Sequence, residues 1–223
     1  YGDLEQNDYW ESFFSGKDVI IRALAKNPDT VTGFLKNHLI ETIETKKSHI
    51  SVCRAYNNLI ESALEEGADY FILLSGACLP IRSFDYIQNQ IESNKSSIIA
   101  EYKFNHCNHF EKRYNDMTSK ICSFEDFTKQ QTNCVISKTD YMSIRDKREY
   151  YLDIFEKVYT PEEHYFINIF EVEKINYKKQ MVCMPNKTHN RVQGKNHDIV
   201  DQQFVNLARS RNALFIRKVN TNS

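Results

Sequence analysis

Five apolar residues in a row, Tyr70-Phe71-Ile72-Leu73-Leu74, stop abruptly at Ser75-Gly76, and Pro80 follows four positions later. A run this short and uninterrupted predicts a strand buried on both faces, as in a parallel sheet flanked by helices. The segment Ser75-Gly76-Ala77-Cys78-Leu79-Pro80 then forms a loop at the carboxyl end of that strand. Open α/β sheets hold their ligands at that edge. A small-molecule site is therefore expected beside residue 75.

The rest of the chain supplies partners for such a strand. Trp10-Glu11-Ser12-Phe13-Phe14 reads as a short helix packing its aromatics, and residues 18–24 as a second strand. Between residues 51 and 66, Val52, Ala55, Tyr56, Leu59, Ile60, Ala63 and Leu64 recur at helical spacing, and Gly67 supplies a C-terminal cap. Residues 84–92 read as a helix and 97–101 as a strand, while 135–144 and 147–159 read as helices. Thr160-Pro161-Glu162-Glu163 has the signature of a helix start: a Thr cap, Pro in the first position and Glu three residues after the cap. That helix runs on to Phe170, and residues 182–184 and 214–216 supply closing strands. Alternating helices and strands predict an α/β fold with a mostly parallel central sheet. No repeat or low-complexity linker interrupts it, so residues 1–223 read as a single domain.

Composition narrows the function classes. The formal net charge is -1, so no global basic field points to nucleic acid or an anionic membrane. No run is long enough to span a bilayer, and no charged-then-apolar leader opens the chain. Loss of an anchor segment from a longer protein would leave the same picture. Six cysteines lie far apart with no C-x-x-C pair, which disfavours a zinc ribbon or a thioredoxin-type site. His106-Cys107-Asn108-His109 is an incomplete ligand set whose spacing suits no common zinc site. Neither G-x-x-x-x-G-K-[ST] nor G-x-G-x-x-G occurs, which argues against a kinase or dehydrogenase nucleotide site.

Several motifs in fixed order resemble those of the core-2/I-branching N-acetylglucosaminyltransferases and their plant relatives. Trp10-Glu11-Ser12-Phe13-Phe14-Ser15-Gly16 is similar to W-E-x-F-F-x-G, and Phe71 to Pro80 to F-x-L-L-S-x-x-C-x-P. Arg113-Tyr114-Asn115 with Met117 resembles R-Y-N-x-x-M with one residue fewer before the Met, and Glu162-Glu163-His164-Tyr165 stands where the family carries D-E-H-Y. Ala213-Leu214-Phe215-Ile216-Arg217-Lys218 resembles the terminal L-F-A-R-K-F. This chain departs from the pattern at Arg22, where His or Asp is usual, at Glu162 for Asp, and at Val219 for Phe. The short apolar strand that relatives carry would fall before the equivalent of Tyr1, so either the sequence begins after it or the nucleotide-binding face is altered.

The resemblance implies a GT-A-like nucleotide-sugar transferase that inverts the sugar and needs no metal. The expected donor is a UDP-sugar, UDP-N-acetylglucosamine first and UDP-xylose next, and the acceptor a carbohydrate or glycoprotein. Glu163 matches the catalytic base, although the local pattern equally makes it the partner of Thr160 in a capping box, with Glu162 as the fallback base. Arg217 and Lys218 match the groups that meet the donor phosphates; Arg191 and Lys195 are weaker candidates. Ser75 and Gly76 would let the donor approach the backbone, and Arg113 and Tyr114 would line the acceptor side. No carboxylate follows the Tyr70 strand to hold a metal, so no cofactor is expected. The competing expectation is an inactive glycan-binding or scaffolding protein of the same fold. Compartment stays open between a Golgi membrane, by analogy, and a soluble state; so do disulfides and oligomeric state.

Overall fold

A computed structural model describes residues 7–102, 112–185 and 202–217. Helix α1 (Asn7–Phe14) and the short α2 (Gly33–Lys36) precede the long α3 (Ser51–Glu65). Strands β1 (Tyr70–Ile72) and β2 (Cys78–Pro80) follow, then α4 (Phe84–Asn94), β3 (Ile98–Ile99) and β4 (Glu101–Tyr102). Next come β5 (Lys129–Gln130), β6 (Val135–Ser137), α5 (Lys138–Ile144), α6 (Arg148–Phe155) and α7 (Tyr165–Val172). Strands β7 (Lys178–Lys179) and β8 (Cys183–Pro185), helix α8 (Gln202–Ser210) and strand β9 (Phe215–Arg217) complete the described elements.

Helix α3 stops where its sequence says it should. Gly67 takes φ +90°, the Gly67 amide donates to the Leu64 carbonyl and the Ala68 amide to the Ala63 carbonyl. These two bonds are the Schellman pattern that a left-handed glycine permits. The chain then turns straight into β1.

β1 is covered on both faces, as its apolar run predicts. Phe71 and Leu73 join a cluster built with α3, α5, α6 and α7, including Ile60, Tyr141, Phe155, Tyr165 and Phe170. Tyr70, Ile72 and Leu74 pack the other way, against Trp10, Ile87, Ile91, Val182 and Phe215. Alternation along a strand sends successive side chains to opposite faces, so one short strand ties two cores together.

The sheet direction departs from expectation. The main sheet runs β1-β6-β3-β7, with β6 antiparallel to both β1 and β3, and only β3 and β7 parallel. A second sheet, β2-β9-β8, is antiparallel at β2–β9 and parallel at β8–β9, and β4 with β5 makes an antiparallel ribbon. The described strands thus form small mixed sheets, not a mostly parallel one. The cause is β6: residues 135–137 are read as helix from sequence but enter between β1 and β3 as an antiparallel strand, and the helix begins only after Ser137. The Ser137 side chain caps it, accepting from the Asp140 amide at 3.1 Å.

Smaller departures follow the same logic. Residues 18–24 contribute a single parallel bridge, Ala23 to Leu39, and no strand. Residues 97–101 split at Ala100, one half in the main sheet and the other in the β4–β5 ribbon. Trp10 stacks on Phe14 at 5.4 Å and lies 6.4 Å from Phe215, so the W-E-x-F-F aromatics hold β9 from outside. No described helix is long and apolar enough to cross a membrane.

Candidate active site

The turn before α7 presents the first acidic group. Thr160 adopts φ +54°, ψ 55°, a left-handed conformation, and makes no capping bond to the backbone. Its hydroxyl donates instead to the Tyr159 carbonyl at 2.7 Å. Pro161–Glu163 form one 3-10 turn, and α7 starts only at Tyr165. The expected capping box is therefore overturned, because a left-handed Thr160 cannot aim its side chain along the helix axis.

Freed from capping, the Glu163 carboxylate meets two cations. Its Oε2 accepts from Arg113 Nη1 at 2.8 Å and from Lys129 Nζ at 3.0 Å, with the Thr160 hydroxyl at 3.4 Å. Oε1 has no partner among the described residues. The Arg113 side chain is 8 % exposed and that of Glu163 28 %, so these charges interact through protein more than through water. Burial works to raise the Glu163 pKa, but the hydrogen bonds and charge of Arg113 and Lys129 outweigh it and hold the carboxyl below its ordinary value. Glu163 is ionised at neutral pH.

Its neighbour is set the other way. Burial, reinforced by Glu163, pushes the Glu162 carboxyl up against weaker opposition from its own amide, Arg113 and Lys47. Glu162 Oε2 is buried without a hydrogen-bond partner among the described residues.

Arg113 is anchored from behind. Its Nη1 also lies 3.0 Å from His164 Nε2, and its guanidinium sits over the Tyr159 ring at 5.4 Å. His164 Nδ1 is 2.8 Å from the Thr128 carbonyl, and its ring stacks on Phe127 with centroids 4.7 Å apart. Asn168 closes the network, accepting from the Thr128 amide and donating to the Thr128 carbonyl, each at 2.8 Å.

On the donor side, Arg217 Nη1 lies 3.4 Å from both Thr132 Oγ1 and Asn133 Oδ1, while its buried Nε has no partner among the described residues. Asn133 Nδ2 reaches Cys78 Sγ at 3.6 Å, and Cys78 Sγ lies 3.3 Å from Ser75 Oγ. The Cys78 thiol is drawn down to about 7, chiefly by its contact with Cys183 and against its burial. Ser75 and Gly76 are exposed on the turn closed by the Cys78 amide and the Ser75 carbonyl at 3.0 Å.

The two halves meet through five consecutive residues. Lys129 touches Glu163, and Thr132 and Asn133 touch Arg217. Three residues of chain span at most about 10 Å, and the Glu163 and Arg217 charges both reach the Tyr102 hydroxyl, so the carboxylate and the arginine share one neighbourhood. Tyr102, opposite Lys129 in the β4–β5 register and 38 % exposed, is close enough to feel the charge of both. Its hydroxyl is pushed up by burial first, then by Cys183 and Glu163, with Arg217 opposing.

Tyr114 has a partly structural role. Its hydroxyl donates to the Cys122 carbonyl at 2.8 Å, and its ring packs on Phe124 and Phe127. The same residue lines an open cleft of about 870 Å³ with Lys112, Asn115, Met117, Glu156 and Tyr159. Arg113 reaches that cleft through Tyr159. Lys218, Arg191, Lys195 and the His106–His109 stretch lie outside the described residues. Among the described residues no group of three His, Cys, Asp or Glu side chains is placed to hold a metal. Arg22 is tied to Ser62 of α3 and to Glu66 just past its end.

The family model described as Core-2/I-Branching enzyme matches residues 2–203, almost the whole chain. The chain belongs to the core-2/I-branching enzyme family. No curated protein matches it. A core-2/I-branching enzyme is a glycosyltransferase, and the family points to a nucleotide-sugar donor and a glycan acceptor. Of the core-2/I-branching motifs, D-E-H-Y and R-Y-N-x-x-M thus converge on one carboxylate, and the loop after β1 and the L-F-A-R-K-F segment meet at Asn133. Lys129, Thr128, Asn168, Tyr102 and Asn133 belong to no motif; only the β4–β5 register and contacts across the fold reveal them.

Proposed function

We propose that this protein moves a sugar, N-acetylglucosamine first and xylose as the alternative, from a UDP-sugar to a hydroxyl of a glycan, with inversion and without a metal. The observation that carries this reading is the asymmetry of Glu163: Oε2 is held by Arg113 and Lys129, and Oε1 has no partner among the described residues. An ionised carboxylate with one anchored and one open oxygen is a general base with a fixed aim.

In the proposed reaction Oε1 takes the proton of the acceptor hydroxyl as that oxygen attacks the anomeric carbon. The new C–O bond forms on the face opposite the breaking bond to the diphosphate, and UDP leaves with the electron pair. Arg217 and Lys218 meet the charge that develops on the leaving phosphate; fixed cations in a water-poor site typically contribute several kcal/mol to such a step. Arg113 and Lys129 offset Glu163 and Glu162, so in this reading the positive charge that suits an anionic donor comes from Arg217 and Lys218. Ser75 and Gly76, exposed on their turn, are the donor contacts in this reading, and Arg113 with Tyr114 the acceptor side along the open cleft.

The test is turnover of a panel of UDP-sugars on glycan acceptors in EDTA, with the anomeric configuration of the product read by NMR. Activity in the wild type that disappears in Glu163→Gln is the expected result. One observation favours a second reading, an inactive glycan-binding protein: ion pairing weakens Glu163 as a base. A glycan that binds with no turnover of any UDP-sugar, and no thermal shift with UDP, would select it.

A further inference from the structure

His164 lies at the centre of the carboxylate cluster, yet sugar transfer as proposed asks nothing of it chemically. Its ring is fully buried. The Thr128 carbonyl can only accept a hydrogen bond, so Nδ1 at 2.8 Å must carry the proton. The Arg113 guanidinium can only donate, so Nε2 at 3.0 Å must offer its lone pair. One state satisfies both contacts: a neutral imidazole with its proton on Nδ1. Burial acts in the same direction and pushes the ring down to about 3, with Arg113 adding to it. The ring cannot turn away, because Phe127 stacks on it and Asn168 pins Thr128 by both its amide and its carbonyl.

We infer that His164 is a positioning residue for the transfer step: held as the Nδ1–H tautomer, it fixes Arg113, and Arg113 fixes the aim of Glu163. This rests on the reading of Glu163 as the base. Among the described residues, the charged and titratable groups facing Glu163 include Arg113, Lys129, Glu162, His164 and, more remotely, Tyr102, and those facing His164 include Arg113, Glu163 and Lys129. Displacing Arg113 removes one of the two cations that keep Glu163 ionised, so the acid limb of the rate profile must move to higher pH.

The experiment compares kcat and KM between about pH 4 and 9 in the wild type, His164→Phe and His164→Gln. Phe keeps the stack on Phe127 and removes both polar contacts; Gln supplies an acceptor and a donor again. Expected for His164→Phe is a kcat lowered about tenfold or more near neutral pH, with donor KM unchanged and the acid limb displaced upward. His164→Gln returns the limb toward the wild-type position. A folded His164→Phe with an unmoved limb overturns the inference, as does a Gln variant displaced as far as Phe. NMR of the imidazole nitrogens in the wild-type protein decides the matter even where His164→Phe does not fold. A ring with its proton on Nδ1 that does not titrate between about pH 5 and 8 is expected, and one titrating near 6.5 overturns it. Glu163→Gln measured alongside separates the two claims: full activity there removes the base, while the His164 tautomer is read without reference to catalysis.

Discussion

Arg113 Nη1 lies 2.8 Å from Glu163 Oε2 although fifty residues separate the two in sequence. The pair is largely enclosed by protein, and Lys129 completes it at 3.0 Å. A carboxylate so held keeps its charge as the pH falls. The acid limb of kcat is therefore expected below 4.5, the ordinary glutamate value. Lys129→Ala removes one of the two opposing charges, so its limb moves up in pH; Lys129→Arg keeps it low. Rate profiles of the three proteins check this, and a limb indifferent to residue 129 would detach Glu163 from the rate.

The adjacent carboxylates are expected to part company on substitution. Glu163→Gln loses about 10²- to 10⁴-fold in kcat, the usual contribution of a positioned base, with little change in donor KM. Glu162 is half-buried, with a raised pKa and a buried Oε2 that has no hydrogen-bond partner among the described residues. Its charge costs stability at neutral pH, and that cost falls away as the pH drops through its folded pKa. Glu162→Gln, a neutral isostere, is expected to raise Tm at pH 7 and keep activity within about tenfold. Paired thermal melts and turnover assays distinguish the two roles; the reverse pattern would move the base to Glu162.

What could be read from sequence, and what could not, divides by the range of the interactions. Helix α3 and its Gly67 end were legible because spacing and cap act within a few residues of one another. The two-sided burial of β1 was legible from five apolar residues in a row. Residues 135–137 were misread because a short apolar run followed by Ser137 and Asp140 looks continuous with the helix it precedes; only pairing with Tyr70–Ile72 shows it as a strand. The capping box at Thr160 failed for a related reason. Arg113 and Lys129 compete for Glu163, and neither is visible near residue 160. Lys129 itself carries no signal beyond being a lysine, since its place depends on the register with Tyr102.

Arg217 is expected to act on the leaving group. Among the described residues its guanidinium is held by two long contacts at 3.4 Å and its buried Nε has no partner, which leaves donor capacity for an anion. Arg217→Ala is expected to lower kcat about 10²- to 10³-fold, the scale of a lost donor at a developing oxyanion, and to weaken UDP as a competitive inhibitor. Arg217→Lys keeps the charge but not the fork and falls between. Inhibition constants for UDP against uridine locate the effect at the phosphates. An equal loss for both would place Arg217 elsewhere. Turnover unchanged by EDTA is expected throughout.

Stability should also report the buried imidazole. Folded His164 sits at about 3 and its unfolded counterpart near 6.5, so between those values the unfolded chain binds the extra proton. Stability from this group is complete above 6.5 and is lost progressively as the pH falls toward 3, at up to about 1.4 kcal/mol per pH unit. His38, lowered by burial and by Arg22, acts in the same direction. Glu61, Glu163 and Glu173, whose pKa values are lowered, contribute only below their ordinary 4.5, and Glu162 acts in the opposite sense. The interval from 6.5 down to about 5 therefore belongs mainly to histidine. Tm measured across it is expected to fall in the wild type and to fall less steeply in His164→Gln. If the Gln variant keeps the full slope, the destabilising proton goes to another residue and His164 is not the buried neutral ring that its contacts require.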